Sequence, residues 1–253
     1  MSGESILHRA IGTDPPGLDG ADDWSIDAPA GSLAAGEVWL WRADLRADER
    51  AEAVCRGWLS ADERQRAAAA RLPNVARRYV LARGLLRGAL AGCLGTNPAR
   101  IAFRYGPQGK PFLDAESKLR FNLSHSGDIA VLAVAFDSDL GVDVERIRPG
   151  VNVPQIANRY LSRTDAARLS DLPAEESNRE FFRCWTKREA YLKALGTGLA
   201  GSDSAMRERT RVEGMANAIQ EFWPADGYLG ALAVMGSCRI ARKLQWSPPS
   251  CIL

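Results

Sequence analysis

Eight consecutive apolar residues, Ile129 to Phe136, constrain this chain more than any other stretch. The run is long enough for one buried strand and too short to cross a membrane. Asp137, Ser138 and Asp139 follow as turn formers. Gly141-Val142-Asp143-Val144-Glu145 then alternates strictly, the pattern of a strand with one apolar face. Val142 and Val144 are expected in the core, with Asp143 and Glu145 together on the opposite face. Carboxylates two positions apart on a strand lie roughly 6–7 Å apart at the backbone. Such a pair faces open water, shares a proton or holds a cation. A hard divalent ion suits it, because Mg²⁺ takes one or two carboxylates, keeps several waters and leaves positions for a substrate phosphate. The ordinary alternative is the wet face of an amphipathic strand, so the rest of the chain has to decide.

A length of 253 residues allows one large domain or two small ones. The net charge of +2 excludes a polycation or an acidic chaperone, but the distribution is uneven. Between Arg64 and Leu113 stand nine Arg and one Lys, without an Asp or Glu, which predicts an anion-binding face. Cys55, Cys93, Cys184, Cys238 and Cys251 are scattered and odd in number, so neither a disulfide framework nor a zinc site is expected. A reducing cytoplasm fits them best. The N-terminus lacks the layout of a signal peptide, and no apolar run approaches the length of a membrane span.

Residues 1–36, rich in Gly, Pro, Asp, Ser and Ala, read as a flexible leader or covering strap. Val38 and Leu40 alternate with Trp39 and Trp41 in a first strand, whose tryptophans are expected against a neighbouring layer. Ser60-Ala61-Asp62-Glu63 is a capping box that opens a helix to about Arg71. A second helix runs past Val75 to Cys93 and ends at Gly95. Ile101–Tyr105 reads as a short strand, and the turn 106–111, GPQGKP, projects Lys110. Helices are expected from Asn152 to about Leu161, from Ser162, and from about Glu175 to Leu195, ending at Gly196. Residues 200–215 read as a mobile loop. Ile219–Trp223 and Leu229–Met235 read as strands joined by a turn at Asp226-Gly227. Arg239 to Leu253 is a last strand and a loose tail. The order is α+β in two comparable halves, 37–125 and 126–253, although no repeat is visible in the letters.

Trp185, Glu189 and Lys193 recur every four residues on one helix face. The plain account of the last two is an exposed ion pair worth about 0.3–0.5 kcal/mol. Four segments in order change that estimate: Gly109-Lys110-Pro111, FNLSHSG from Phe121 to Gly127, GVDVE from Gly141 to Glu145, and WTKREAYLK from Trp185 to Lys193. Together they make the chain resemble the Sfp-type 4'-phosphopantetheinyl transferases, over roughly residues 38–235. The resemblance implies two similar α/β lobes related by a pseudo-twofold axis, with the active-site cleft between them. It implies transfer of the phosphopantetheine arm of coenzyme A to a carrier-protein serine, with release of 3',5'-ADP.

By the same resemblance, Asp143, Glu145 and Glu189 hold Mg²⁺ or Mn²⁺, and Glu189 takes the serine proton. Lys193 steadies the departing nucleotide, and Asp143, Glu189 and Lys193 form the catalytic set. Lys110, Gly109 and Pro111 cradle the adenine nucleotide, while Ser124, His125 and Arg78 bind phosphate. Arg66, Arg71 and Arg83 are further phosphate candidates on charge grounds alone. Arg188 stands where the family usually has Lys, so it is left outside the catalytic set. The expected partners are coenzyme A and an apo acyl or peptidyl carrier protein, with no nucleic acid or membrane, and the expected state is a monomer. Two competing readings stay open: a Mg²⁺-dependent hydrolase of coenzyme A or a nucleotide, and a nucleic-acid binder using the basic block.

Overall fold

The computed structural model describes residues 22–26, 32–113, 116–196 and 219–248. The loop expected over 200–215, the tail beyond 248 and the leader before residue 22 lie outside the described residues. The chain runs β1 (Glu37–Asp44), α1 (Glu49–Trp58), α2 (Ala61–Ala68), α3 (Pro73–Leu94), β2 (Arg104–Tyr105), β3 (Pro111–Phe112), β4 (Leu119–Ser126) and β5 (Ile129–Phe136). It continues with β6 (Leu140–Arg146), α4 (Val153–Tyr160), α5 (Arg163–Asp171), α6 (Ala174–Leu195), β7 (Ile219–Phe222), β8 (Tyr228–Val234) and β9 (Arg239–Gln245).

One plan is used twice. A strand leads into helices that end in a helix of 22 residues, and an antiparallel hairpin then returns to pair with that strand. The first pass gives the order β4-β5-β1 and the second gives β7-β8-β6. The repeat lies in the order of elements, which is why the letters hide it. β9 breaks the symmetry by crossing back to pair parallel with β1.

The two sheets lie face to face with helices outside both. Val38, Leu40, Val131 and Ala133 meet Val142, Val144 and Leu232 between the sheets. Trp39, Trp41, Leu132 and Val134 pack under Leu81, Leu85 and Leu86 of α3. The tryptophans are therefore core residues, as their alternation predicts. Cover on both faces also explains why 129–136 carries no polar alternate. Ala190, Tyr191 and Ala194 of α6 lie on Ala231 and Ala233 of β8.

Several sequence expectations need correction. The sheets divide after Phe136, not at residue 125, which falls inside the β4–β5 hairpin. Residues 22–26 take the covering-strap alternative and are no free leader. Ser25 bridges to Leu244 of β9, and Trp24 packs edge-on to Phe222 with the Arg42 guanidinium over its ring. The strand expected at 101–105 shrinks to Arg104–Tyr105, because Pro98–Arg100 forms a 3-10 turn capped by Asn97.

The basic block is not an open anion face either. Glu52 pairs with Arg77, Asp128 with Arg78, Asp62 with Arg66, and Glu63 with both Arg83 and Arg87. Glu63 is fully buried and also accepts from the Ser60 amide in the capping box. Arg83 thus leaves the phosphate candidates, since its guanidinium is committed to a buried ion pair and stacks on Phe103.

Candidate active site

β4 and β6 are the edge strands of their sheets, and side chains join them where a backbone ladder is absent. Asn122, Ser124 and Ser126 share one face of β4 because strand side chains alternate. Asn122 Oδ1 accepts from the Val142 amide at 2.8 Å. Ser124 Oγ donates to Asp143 Oδ1 at 2.9 Å, and Ser126 Oγ donates to Glu145 Oε2 at 2.8 Å. The β4 strand itself was not foreseen, although its apolar–polar alternation was visible in FNLSHS. What misleads is that Asn122 and Ser124 of the polar face are buried as well as Leu119 and Phe121 of the other.

Gly141 sets the height of α6 above β6. A Cβ there would stand 2.1 Å from the Ala190 carbonyl oxygen and 2.3 Å from the Ala194 amide nitrogen. The helix backbone therefore rests directly on the strand, and residues 189 and 193 come over the Asp143 end of β6. Lys193 Nζ lies 2.6 Å from Asp143 Oδ1 and 2.9 Å from Ser124 Oγ. It does not form the exposed pair with Glu189 that helix spacing alone suggests. Glu189 Oε1 is held by Arg188 at 3.1 Å instead. Arg188, set aside on sequence grounds, is buried with its guanidinium facing Tyr160. Tyr160 in turn packs edge-on to Trp185.

The acids crowd one another. Burial, and then the neighbouring Asp143 charge, push Glu189 above the usual carboxylate range. Burial also raises Glu145, with Ser126 opposing and Asp143 adding to the rise. Asp143 Oδ2 is buried without a hydrogen-bond partner. Among the described residues, no three His, Cys, Asp or Glu side chains form a ready-made metal cage. The acids are thus adjacent without being preassembled, and the Lys193 ammonium neutralises one oxygen of Asp143. An orphaned carboxylate oxygen beside two raised acids fits a hard cation with oxygen ligands, for which one or two carboxylates plus phosphate oxygens suffice.

The expected cation side is divided. Lys110 does not project from its turn. Its ammonium bridges the Leu140 and Lys193 carbonyl oxygens at 3.1 and 2.6 Å. Burial lowers its pKa. With Pro111, Phe121, Leu140 and Ala194 it lines a cleft of about 350 Å³. Gly109 is required by its φ of +76°, and no neighbour crowds the position. His125 lies at the open side of β4, where surrounding protein, Lys193 and Arg78 hold its pKa below the ordinary imidazole value. Arg78 reaches Asp128 at 2.6 Å, which anchors α3 to the β4–β5 turn beside His125. Arg66 stacks on Tyr105, and Arg71 is exposed beyond α2.

Acids and cations thus lie side by side at the junction of two half-repeats. Residues 49–137 match the family model for the N-terminal region of 4'-phosphopantetheinyl transferases. Residues 139–220 match that of the 4'-phosphopantetheinyl transferase superfamily. The two matches meet in the turn after β5, where the sheets divide. The 4'-phosphopantetheinyl transferase HetI of Nostoc sp. (strain PCC 7120) is 37% identical over 222 residues, covering 84% of this chain and 94% of that protein. The 4'-phosphopantetheinyl transferase of Bacillus subtilis is 32% identical over 168 residues, 66% of this chain and 67% of that protein. The 4'-phosphopantetheinyl transferase AcpT of Salmonella typhimurium (strain LT2) is 40% identical over 92 residues, 36% of this chain and 48% of that protein. The chain belongs to the 4'-phosphopantetheinyl transferase superfamily, and it is an enzyme of phosphopantetheinyl transfer.

Proposed function

We propose that this enzyme moves the 4'-phosphopantetheine arm of coenzyme A onto a serine of an apo acyl or peptidyl carrier protein, releasing 3',5'-ADP. The observation that carries this proposal is the seating of α6 on β6 at Gly141, which brings Lys193 against Asp143 and Glu189 into the field of both β6 acids. Such a site handles a doubly charged pyrophosphate with acids for a cation and an ammonium for the leaving group.

In the reaction, the serine oxygen forms a bond to the β-phosphorus of coenzyme A. The bond from that phosphorus to the bridging oxygen of the nucleotide breaks, and 3',5'-ADP leaves with the electron pair. Glu189 accepts the serine proton. Its carboxylate, held at one oxygen by Arg188, is the base on the α6 side of the site. Lys193 spans Asp143 and Ser124 and stands ready as a point charge for the leaving phosphate. His125, Ser124 and Arg78 form the phosphate side, and the Gly109-Lys110-Pro111 turn forms the nucleotide side.

Asp143, Glu145 and Glu189 are the groups we assign to a divalent ion, Mg²⁺ or Mn²⁺. When bound, that ion offsets charge on the pyrophosphate oxygens. One chain contributes every group in this assignment, so a monomer suffices. No described helix is long and apolar enough to cross a membrane.

The test is to incubate the enzyme with coenzyme A, Mg²⁺ and an apo carrier protein, and to weigh the carrier. The expected result is a phosphopantetheine gain that disappears with EDTA or in Asp143→Ala. Nucleotide release without any gain on the carrier overturns the proposal in favour of hydrolysis. Glu189→Gln is expected to cut kcat by about 10²- to 10⁴-fold while coenzyme A still binds. Wild-type turnover in that variant removes Glu189 from the role of base.

A further inference from the structure

We propose that Ser126 is a positioning residue for Glu145, its hydroxyl fixing the carboxylate beside Asp143, where a divalent cation is received. This rests on the divalent site proposed above. Ser126 was not among the residues singled out by sequence, and its place in the fold gives it one task.

Ser126 is the last residue of β4, and the turn behind it is tied to the other sheet. Gly127 takes φ +54°, and a Cβ there would stand 2.6 Å from Tyr228 Oη. The Asp128 amide donates to that same oxygen at 3.2 Å. The Ser126 hydroxyl accepts from the Arg146 amide at 3.1 Å. A serine hydroxyl has one proton. With its acceptor side engaged by Arg146, that proton goes to Glu145 Oε2 at 2.8 Å. The hydroxyl is thus held by the backbone of β6 and in turn orients the side chain preceding that amide.

The competing partner for Glu145 is Arg148, whose guanidinium stands 3.8 Å from the same Oε2 and is more than half exposed. Without the hydroxyl, that exposed cation draws the carboxylate outward, away from Asp143. A carboxylate free to swing binds a cation more weakly than a fixed one, and loss of such an outer-shell partner typically costs 10–100-fold in metal affinity.

The experiment measures Mn²⁺ binding by electron paramagnetic resonance to wild type, Ser126→Ala, Ser126→Thr and Glu145→Gln. Neither coenzyme A nor carrier protein is added, and circular dichroism checks the fold. Ser126→Ala is expected to raise the Mn²⁺ Kd about tenfold or more. Ser126→Thr, which keeps the hydroxyl on a β-branched residue suited to a strand, restores it. In turnover assays, Ser126→Ala raises the Mn²⁺ concentration for half-maximal rate while kcat at saturating Mn²⁺ recovers. Wild-type affinity in Ser126→Ala, with binding lost in Glu145→Gln, overturns the positioning role and leaves the divalent site standing. Wild-type affinity in both variants overturns the divalent site as well. If Ser126→Ala does not fold, Ser126→Thr decides, since a folded threonine variant with weakened Mn²⁺ affinity contradicts the role assigned to the hydroxyl.

Discussion

A single methyl group at position 141 is expected to disable the enzyme from beneath. In Gly141→Ala the new Cβ meets three backbone atoms of α6, the Ala190 oxygen at 2.1 Å, the Ala194 nitrogen at 2.3 Å and the Lys193 carbonyl carbon at 2.8 Å. None of them belongs to a flexible side chain that can swing aside. Restoring ordinary van der Waals separation requires the helix to lift by about 1 Å, and overpacking of this kind costs about 1–3 kcal/mol. Each kcal/mol shifts Tm by about 2–4 °C in a chain of this size. The larger effect falls on chemistry, because Glu189 and Lys193 ride on the displaced helix. A misplacement of about 1 Å costs on the order of 100-fold in rate. The assay is kcat/KM for carrier loading beside a thermal melt. Gly57→Ala is the control, since that helical glycine has nothing within 4 Å of the added Cβ. It should gain about 0.5–1 kcal/mol with activity unchanged. Wild-type kcat/KM and Tm in Gly141→Ala would show that α6 does not rest on β6, and the account of the site would fall with it.

Glu63→Gln is expected to destabilise by about 3–5 kcal/mol, read from the urea midpoint, because Arg83 and Arg87 lose their buried countercharge. Burial alone would raise the Glu63 pKa, but Arg83 and the Ser60 amide outweigh it and hold the group below the usual carboxylate range. Its contribution is therefore present above the ordinary carboxylate pKa and lost as pH falls through the depressed value; an identical acid limb in Glu63→Gln contradicts this. Glu189 has the opposite sign, since its folded pKa is raised. Its charge destabilises the metal-free protein above that pKa, and acidification relieves the penalty, so Glu189→Gln should melt higher than wild type at neutral pH. A lower Tm refutes the crowding of acids. His125→Ala is expected to weaken coenzyme A about tenfold, the value of one hydrogen bond to a charged group, and an unchanged Kd by calorimetry removes it from the phosphate side.

Much of the scaffold was legible because periodicity and caps are local. The strand at 129–136, the capping box at Ser60 and the helix ending at Gly196 follow from neighbouring letters. What escaped depends on distant partners. α1 carries one buried residue, Cys55, and it owes its place to Gly84 of α3, where an added Cβ would meet the Cys55 sulfur. Its signals were the Asp48 cap and the acids of its first turn. The basic block looked like a vacant anion site because its acidic partners come from outside it, at Glu52, Asp62, Glu63 and Asp128. At the candidate site the residue types were legible from the resemblance, but their pairing was not. Lys193 belongs to Asp143, Glu189 to Arg188, and Lys110 to two carbonyl oxygens. Each of these is decided by how α6 lies on β6 and how the β2–β3 turn meets both.

The doubled plan invites the thought that its halves are separable, and β9 denies it. That strand lies alongside β1, with residues 22–26 clipped over its outer edge. A fragment stopping in the turn after β5 would leave β1 with an unpaired backbone edge open to any other chain. Splitting the gene there would thus yield two pieces that survive only in each other's company, the second supplying the selvedge of the first.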